Sequence, residues 1–209
     1  GVKTPRKAAV TDPEPTPKPE NRFNDGKCDP AGRLWAGTIS TVKNEGTANL
    51  YALEGDHSCS LKFSGVTNSN GLAWSKDGST MFYIDTPTKK IRAFDFDATA
   101  GTIENERIVI DTECYEGSPD GMTIDSEDRL WIAFCRGSSV LCIDPTNADL
   151  VSKVELPVSG TTSCCFGGAK LDTLYITTGI FANLDEPGAG LQYAVKPGVT
   201  GTPTIAFNG

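Results

Sequence analysis

From residue 21 onward the chain is built of short runs in which apolar and polar positions alternate. Glycine, proline, aspartate, asparagine or serine interrupts them every few residues. A two-residue period bounded by turn formers predicts half-buried β-strands. Lys90-Ile91-Arg92-Ala93-Phe94-Asp95-Phe96 is the clearest case, and no segment carries a sustained helical period. One layout recurs: a polar or aromatic residue before glycine, a short strand, a polar turn, then a second strand rich in aromatic and β-branched residues. Ser118-Pro119-Asp120-Gly121-Met122-Thr123-Ile124-Asp125 followed by Arg129-Leu130-Trp131-Ile132-Ala133-Phe134 shows it best. Copies begin at Asp25-Gly26 and Asn70-Gly71, and a weaker one at Phe166-Gly167. The residue before glycine thus falls at 25, 70, 120 and 166, in steps of 45, 50 and 46 residues. Strand-rich repeats of that length predict the blades of an all-β propeller.

Four units of four strands are expected, over 21–66, 70–111, 120–156 and 163–209, the last ending in a strand at Pro203-Thr204-Ile205-Ala206-Phe207. The innermost strands are expected near Gly26, Gly71, Gly121 and Gly167. Residues 1–20 carry prolines at 5, 13, 15, 17 and 19 among charged and small residues, and read as an extended loop or linker. The remaining 21–209 form the propeller region.

Charge narrows the partners. Nineteen basic residues face 27 acidic ones, a net charge of −8, which argues against a nucleic-acid binder with a basic footprint and suits a cation site. The apolar runs are too short to span a membrane, and no signal peptide is visible, so no membrane partner and a cytoplasmic location are expected. Because the chain opens on Gly1, a fragment or processed form is expected. Seven cysteines, an odd number without a C-x-x-C pair, read as small buried apolar residues of a reducing compartment. Cys164 and Cys165 would point to opposite faces of a strand. The lone histidine, His57, sits in a turn-like context, which gives little support to Ser-His-Asp, Cys-His or His-zinc chemistry.

In a propeller the innermost strands line a central channel, so equivalent repeat positions converge. Asn70 and Asp120 share such a position, with Asp25 and Asn24 close to it. Side-chain oxygens meeting on an axis make a hard-cation site. Asn or Asp before Gly also makes tight turns, and the repeat alone leaves both readings open.

Five motifs together resemble the SMP-30/gluconolactonase family: Asn21-Arg22-Phe23-Asn24-Asp25-Gly26-Lys27, Asp29-Pro30-Ala31-Gly32-Arg33, Ser69-Asn70-Gly71-Leu72-Ala73-Trp74, Pro119-Asp120-Gly121-Met122 and Thr162-Ser163-Cys164-Cys165-Phe166-Gly167-Gly168. The resemblance runs from about residue 21 to the C-terminus. It implies a six-bladed propeller, of which about four blades lie in this chain, and metal-dependent hydrolysis of a small-molecule sugar lactone such as gluconolactone. It implies Asn70 and Asp120 as metal ligands, Asp120 also as general base, and Arg22 and Asn24 as substrate contacts. The implied cofactor is one divalent cation, Ca²⁺ first, with Zn²⁺, Mn²⁺ or Mg²⁺ as other occupants. Two features depart from the family pattern. The family's first-blade glutamate ligand has no counterpart here, and its acidic substrate contact is replaced by Ser40-Thr41-Val42-Lys43, with no acid before Glu45. Two further readings stay open: a calcium-binding or regulatory propeller without turnover, and an interaction propeller whose axial residues only close turns.

If the glutamate matters, residues 1–209 bind metal weakly and hydrolyse gluconolactone poorly, whereas a version extended at the N-terminus by a blade carrying it does both. Side-by-side lactone hydrolysis with added Ca²⁺, Mn²⁺ or Zn²⁺ checks this. Equal activity in the two would make that glutamate dispensable.

Overall fold

The computed structural model describes Pro13, residues 20–181 and residues 185–209. The expected Pro-rich linker therefore lies outside the described residues apart from Pro13 and Glu20. Among the described residues the regular structure is all β, with a single 3₁₀ turn at Thr86–Thr88.

Three sheets have four antiparallel strands in chain order. The first is β1 (Asn21–Cys28), β2 (Leu34–Ser40), β3 (Ala48–Leu53) and β4 (Cys59–Val66). The second is β5 (Ser69–Trp74), β6 (Thr80–Asp85), β7 (Lys90–Asp97) and β8 (Thr102–Asp111). The third is β9 (Ser118–Ile124), β10 (Leu130–Cys135), β11 (Ser139–Ile143) and β12 (Leu150–Glu155). The fourth has three strands, β13 (Thr161–Gly167), β14 (Thr173–Thr178) and β15 (Gln192–Val195).

The first strands β1, β5, β9 and β13 pack beside one another in series, so each sheet presents its opening strand to a common axis as a propeller blade does. The strands expected near Gly26, Gly71, Gly121 and Gly167 are these four. The fourth strand expected at 203–207 is not one. After β15 the chain leaves the sheet and crosses back over the other blades. Gly201 N donates to Leu171 O (2.8 Å), Ser126 N to Thr200 O (2.8 Å) and Asn208 N to Gly32 O (3.1 Å). Thr204 to Phe207 alternate like a strand, but their neighbours here are loops of other blades rather than an edge of β15.

Apolar side chains fill the spaces between consecutive blades. Trp35, Leu50, Leu72, Met81, Tyr83 and Phe94 join the first two. Ile84, Ile91, Met122, Ile132 and Phe134 join the second and third, and Trp131, Val140, Cys164, Phe166 and Leu174 the last two. Alternation in the strands thus becomes one core per blade boundary.

A buried aspartate fixes the turn after the first strand in two blades. Asp29, fully buried, accepts from the amides of Ala31 (2.9 Å) and Arg33 (3.0 Å), from Trp35 Nε1 (2.9 Å) and from Arg33 Nη1 (3.2 Å). Asp125, equally buried, repeats this with the amides of Glu127 (2.9 Å) and Arg129 (3.0 Å), with Trp131 Nε1 (2.9 Å) and with Arg129 Nε (2.9 Å). One carboxylate thereby closes the turn, holds an arginine and anchors the core tryptophan of the second strand. In the second blade Ser75 takes the place of the aspartate, and its hydroxyl bonds Asp77 in the exposed turn (2.6 Å).

Removing one partner of a buried charged cluster costs about 3–5 kcal/mol. Asp125→Ala is therefore expected to lower unfolding stability by that order, whereas Asp77→Ala in the exposed turn costs about 0.5–1.5 kcal/mol. Urea unfolding of both variants checks the ratio; equal losses would show that the buried carboxylate does not anchor its blade.

Candidate functional site at the axis

Each first strand carries a register irregularity, at the glycine in β1, β5 and β9 and well before Gly167 in β13. Pairing shifts between Phe23 and Gly26, between Ser69 and Leu72, between Pro119 and Met122 as β9 passes β10, and between Thr161 and Ser163. A β-bulge bends a strand and re-aims the side chain at that position. The glycines follow from how closely the strands approach. A Cβ on Gly71 would lie 2.5 Å from Met122 Cβ and 2.9 Å from Asp120 O, and one on Gly121 would lie 2.2 Å from Ser163 Oγ. Only glycine lets β5 lie against β9, and β9 against β13, at this depth.

The bulges of β1, β5 and β9 place Asn24, Asn70 and Asp120 at one end of the channel, where a chain of hydrogen bonds joins three of the four expected site residues. Arg22 Nη1 donates to Asn24 Oδ1 (3.0 Å) and to Phe23 O (2.9 Å). Asn24 Nδ2 faces Asn70 Oδ1 (3.1 Å), Ser69 O (2.8 Å) and Asn68 Oδ1 (3.2 Å). Asn70 Nδ2 donates to Thr86 Oγ1 (2.7 Å), and Thr86 Oγ1 to Pro119 O (2.8 Å). The chain ends beside Asp120. Asn70 is buried, whereas Arg22 and Asn24 are exposed at the mouth.

The fourth residue, Asp120, accepts from the amide of Gly121, and its charged neighbour is Asp25, of the same sign. Burial first, and then Asp25, push the Asp120 carboxyl up to about 7. Burial likewise raises Asp25, against the pull of Lys27 and of the Gly26 amide. Lys27 reaches across to donate to Met122 O (2.7 Å), and burial lowers its proton affinity while Asp25 raises it.

Asp25 was expected close to the axial position, whereas Lys27, Thr86 and Asn68 were not among the site residues expected from sequence. Asp25 and Lys27 were visible in the Asn24-Asp25-Gly26-Lys27 run. Thr86 and Asn68 lie outside the repeated positions and had no signal of their own.

The donors suit a hard divalent cation better than any softer ion. Among the described residues no three His, Cys, Asp or Glu side chains form a metal cluster, so amide oxygens would have to share the task. At the mouth three acceptor oxygens face the single amide nitrogen of Asn24, and two carboxylates repel each other close by. Such an excess of oxygen is what Ca²⁺ or Mg²⁺ takes up. The cysteines present another picture from the one expected. Cys142 and Cys164 are buried, with burial pushing both thiols up to about 12, but Cys114 and Cys165 are exposed. Cys164 and Cys165 do face opposite sides of β13.

The family model described as SMP-30/Gluconolactonase/LRE-like region matches residues 2–180. Regucalcin from Danio rerio is 44% identical over 200 residues, covering 92% of this chain and 68% of its own length. YvrE of Bacillus subtilis, provisionally named a sugar lactone lactonase, is 39% identical over 193 residues, covering 90% of this chain and 66% of its own. Among solved structures, a luciferin-regenerating enzyme superposes with a TM-score of 0.82 at 32% identity, covering 90% of this chain and 66% of that one. A calcium-binding protein, regucalcin, from Agrobacterium tumefaciens gives 0.85 at 26%, covering 90% and 65%. The chain therefore spans about two thirds of the length of these relatives. On the extent of the family match and the identity of these relatives, the chain belongs to the SMP-30/gluconolactonase family.

Proposed function

We propose that this chain carries the catalytic face of a divalent-metal-dependent lactonase acting on a sugar lactone of the gluconolactone type. The observation that carries the reading is the meeting of Asn24, Asn70, Asp25 and Asp120 at one channel mouth, in a member of this family. Asn70 and Asp120 would hold the cation, Ca²⁺ first, and its chemistry when bound is polarisation of the lactone carbonyl.

The side chains divide the remaining work. Asp120 takes the proton from the attacking water as the water oxygen bonds the carbonyl carbon, and returns it to the ring oxygen as the ring C–O bond breaks. Arg22 at the exposed rim offers guanidinium N–H groups to the sugar hydroxyls. Asn24, held between Arg22 and Asn70, orients both toward the same point. Holding the lactone this way supplies the attack geometry. The calcium-binding description of the Agrobacterium relative supports a second reading, cation binding without turnover.

Gluconolactone hydrolysis with added Ca²⁺, Mn²⁺, Mg²⁺ or Zn²⁺ separates the two. Asp120→Ala is expected to lower the rate by at least about 10²-fold, the scale of lost general-base catalysis. Cation binding with no turnover under any of these metals, in this chain or a longer one, would leave the binding reading and sink the enzymatic one.

The same carboxyl gives a pH signature in chelator. Its folded value, about 7, lies above its ordinary 3.8. Below about pH 4 it is protonated folded or unfolded and contributes nothing. Between about pH 4 and pH 7 the unfolded chain releases the proton and the folded chain keeps it, so stability falls as pH rises and the penalty is constant above. Asp120→Asn is therefore expected to gain stability over the parent across that window and to hold the gain at higher pH. Urea midpoints measured across the range check this; a pH-independent difference would place Asp120 in a solvated setting.

A further inference from the structure

A cavity of about 500 Å³ lies at the other end of the channel from Asn24, Asn70 and Asp120. Two residues from each of the four first strands wall it: Lys27 and Cys28, Ala73 and Trp74, Thr123 and Ile124, Cys165 and Phe166. A strand advances ~3.3 Å per residue, so Lys27, Ala73 and Thr123 stand roughly 10 Å from Asn24, Asn70 and Asp120. The C-terminal segment 201–205 forms the remaining side. That segment is seated by design of the sequence: a Cβ on Gly201 would fall 2.2 Å from Phe166 Cβ, so only glycine lets it lie flat on the buried ring.

The polarity of this cavity is opposite to that of the chain. In a protein of net charge −8, the lining holds two lysines, Lys27 and Lys76, and no carboxylate. Hydroxyls of Ser126, Thr202 and Thr204 stand around it. Between these polar points Trp74, Ile124 and Phe166, all largely buried, give an apolar body of wall. An ammonium has three donors, and the Met122 carbonyl takes one from Lys27 (2.7 Å).

We propose that this cavity is a second ligand site, which binds a small carboxylate with an apolar body, Lys27 facing the carboxylate and Trp74 and Phe166 the body. Its volume is that of a small-molecule cleft, which ordinarily pairs an apolar lining with a few placed polar groups. The site is separate from the lactone-binding mouth, since the close-packed layer at Gly26, Gly71 and Gly121 stands between them. A ligand there touches the C-terminal segment and the first strands together, so occupancy ties that segment to the blades.

Phenylacetate is a suitable probe, and neutral phenylacetamide matches its shape without the charge. Isothermal titration of the 209-residue chain is expected to show phenylacetate binding at least about tenfold tighter than the amide, the scale of one charge-assisted contact. Lys27→Gln removes that preference and leaves amide binding unchanged. Thr204→Trp fills the cavity from the C-terminal segment and blocks both, with Lys27 intact should the first variant fail to fold. Asp120→Ala, at the other end of the channel, leaves binding as it was. No binding to the folded parent, equal binding of acid and amide, retention of full affinity in Thr204→Trp, or loss of binding in Asp120→Ala would each overturn the proposal.

Discussion

Everything near the axis depends on how closely the four first strands approach one another. Gly71 and Gly121 leave no space for a Cβ between a strand and its neighbour. At that distance side chains cannot point sideways into the next strand, and the pleat has to break where they would. The irregular register beside Gly26, Gly71 and Gly121 is the break. It sends Asn70 and Asp120 along the axis rather than into a sheet face. The same crowding removes water from Asp120 and sets Asp25 near it, so a packing constraint becomes an electrostatic one.

The channel is consequently polarised along its length. One end collects amide and carboxylate oxygens, the other two ammonium groups and hydroxyls. Lys27 spans the divide, with Asp25 as electrostatic neighbour on one side and the cavity wall on the other. The alternation that makes a strand also sorts the channel's chemistry.

Much of this was legible in the sequence. The recurrence of a polar or aromatic residue before glycine located all four first strands and brought Asn70 and Asp120 to equivalent places. It worked because the feature it reports, a glycine forced by close approach, is local and repeated. Asp29 and Asp125 lay in plain view in matching Asp-to-Arg spacings, but their four-fold hydrogen bonding needs the tryptophan of the following strand, and pairing across strands is not written in local pattern. The bulges were invisible for the same reason: register is a property of two strands. Segment 203–207 misled because alternation specifies a surface with two faces, not the partner that covers one of them. Thr86 became part of the axial hydrogen-bond chain only because a connection between β6 and β7 folds over Pro119.

The hydrogen bond from Asn208 Nδ2 to Ala31 O joins residues 177 positions apart. Each blade, by contrast, is made of consecutive hairpins. On a ribosome the hairpins of the first blade are complete long before Asn208 exists, and each later blade can dock on the one before it. The contacts that tie Asn208 back to the first blade come after all the hairpins between them. The assembly therefore grows as an arc by short-range steps and acquires these ties when the entropy of bringing distant segments together has already been reduced by the blades between them.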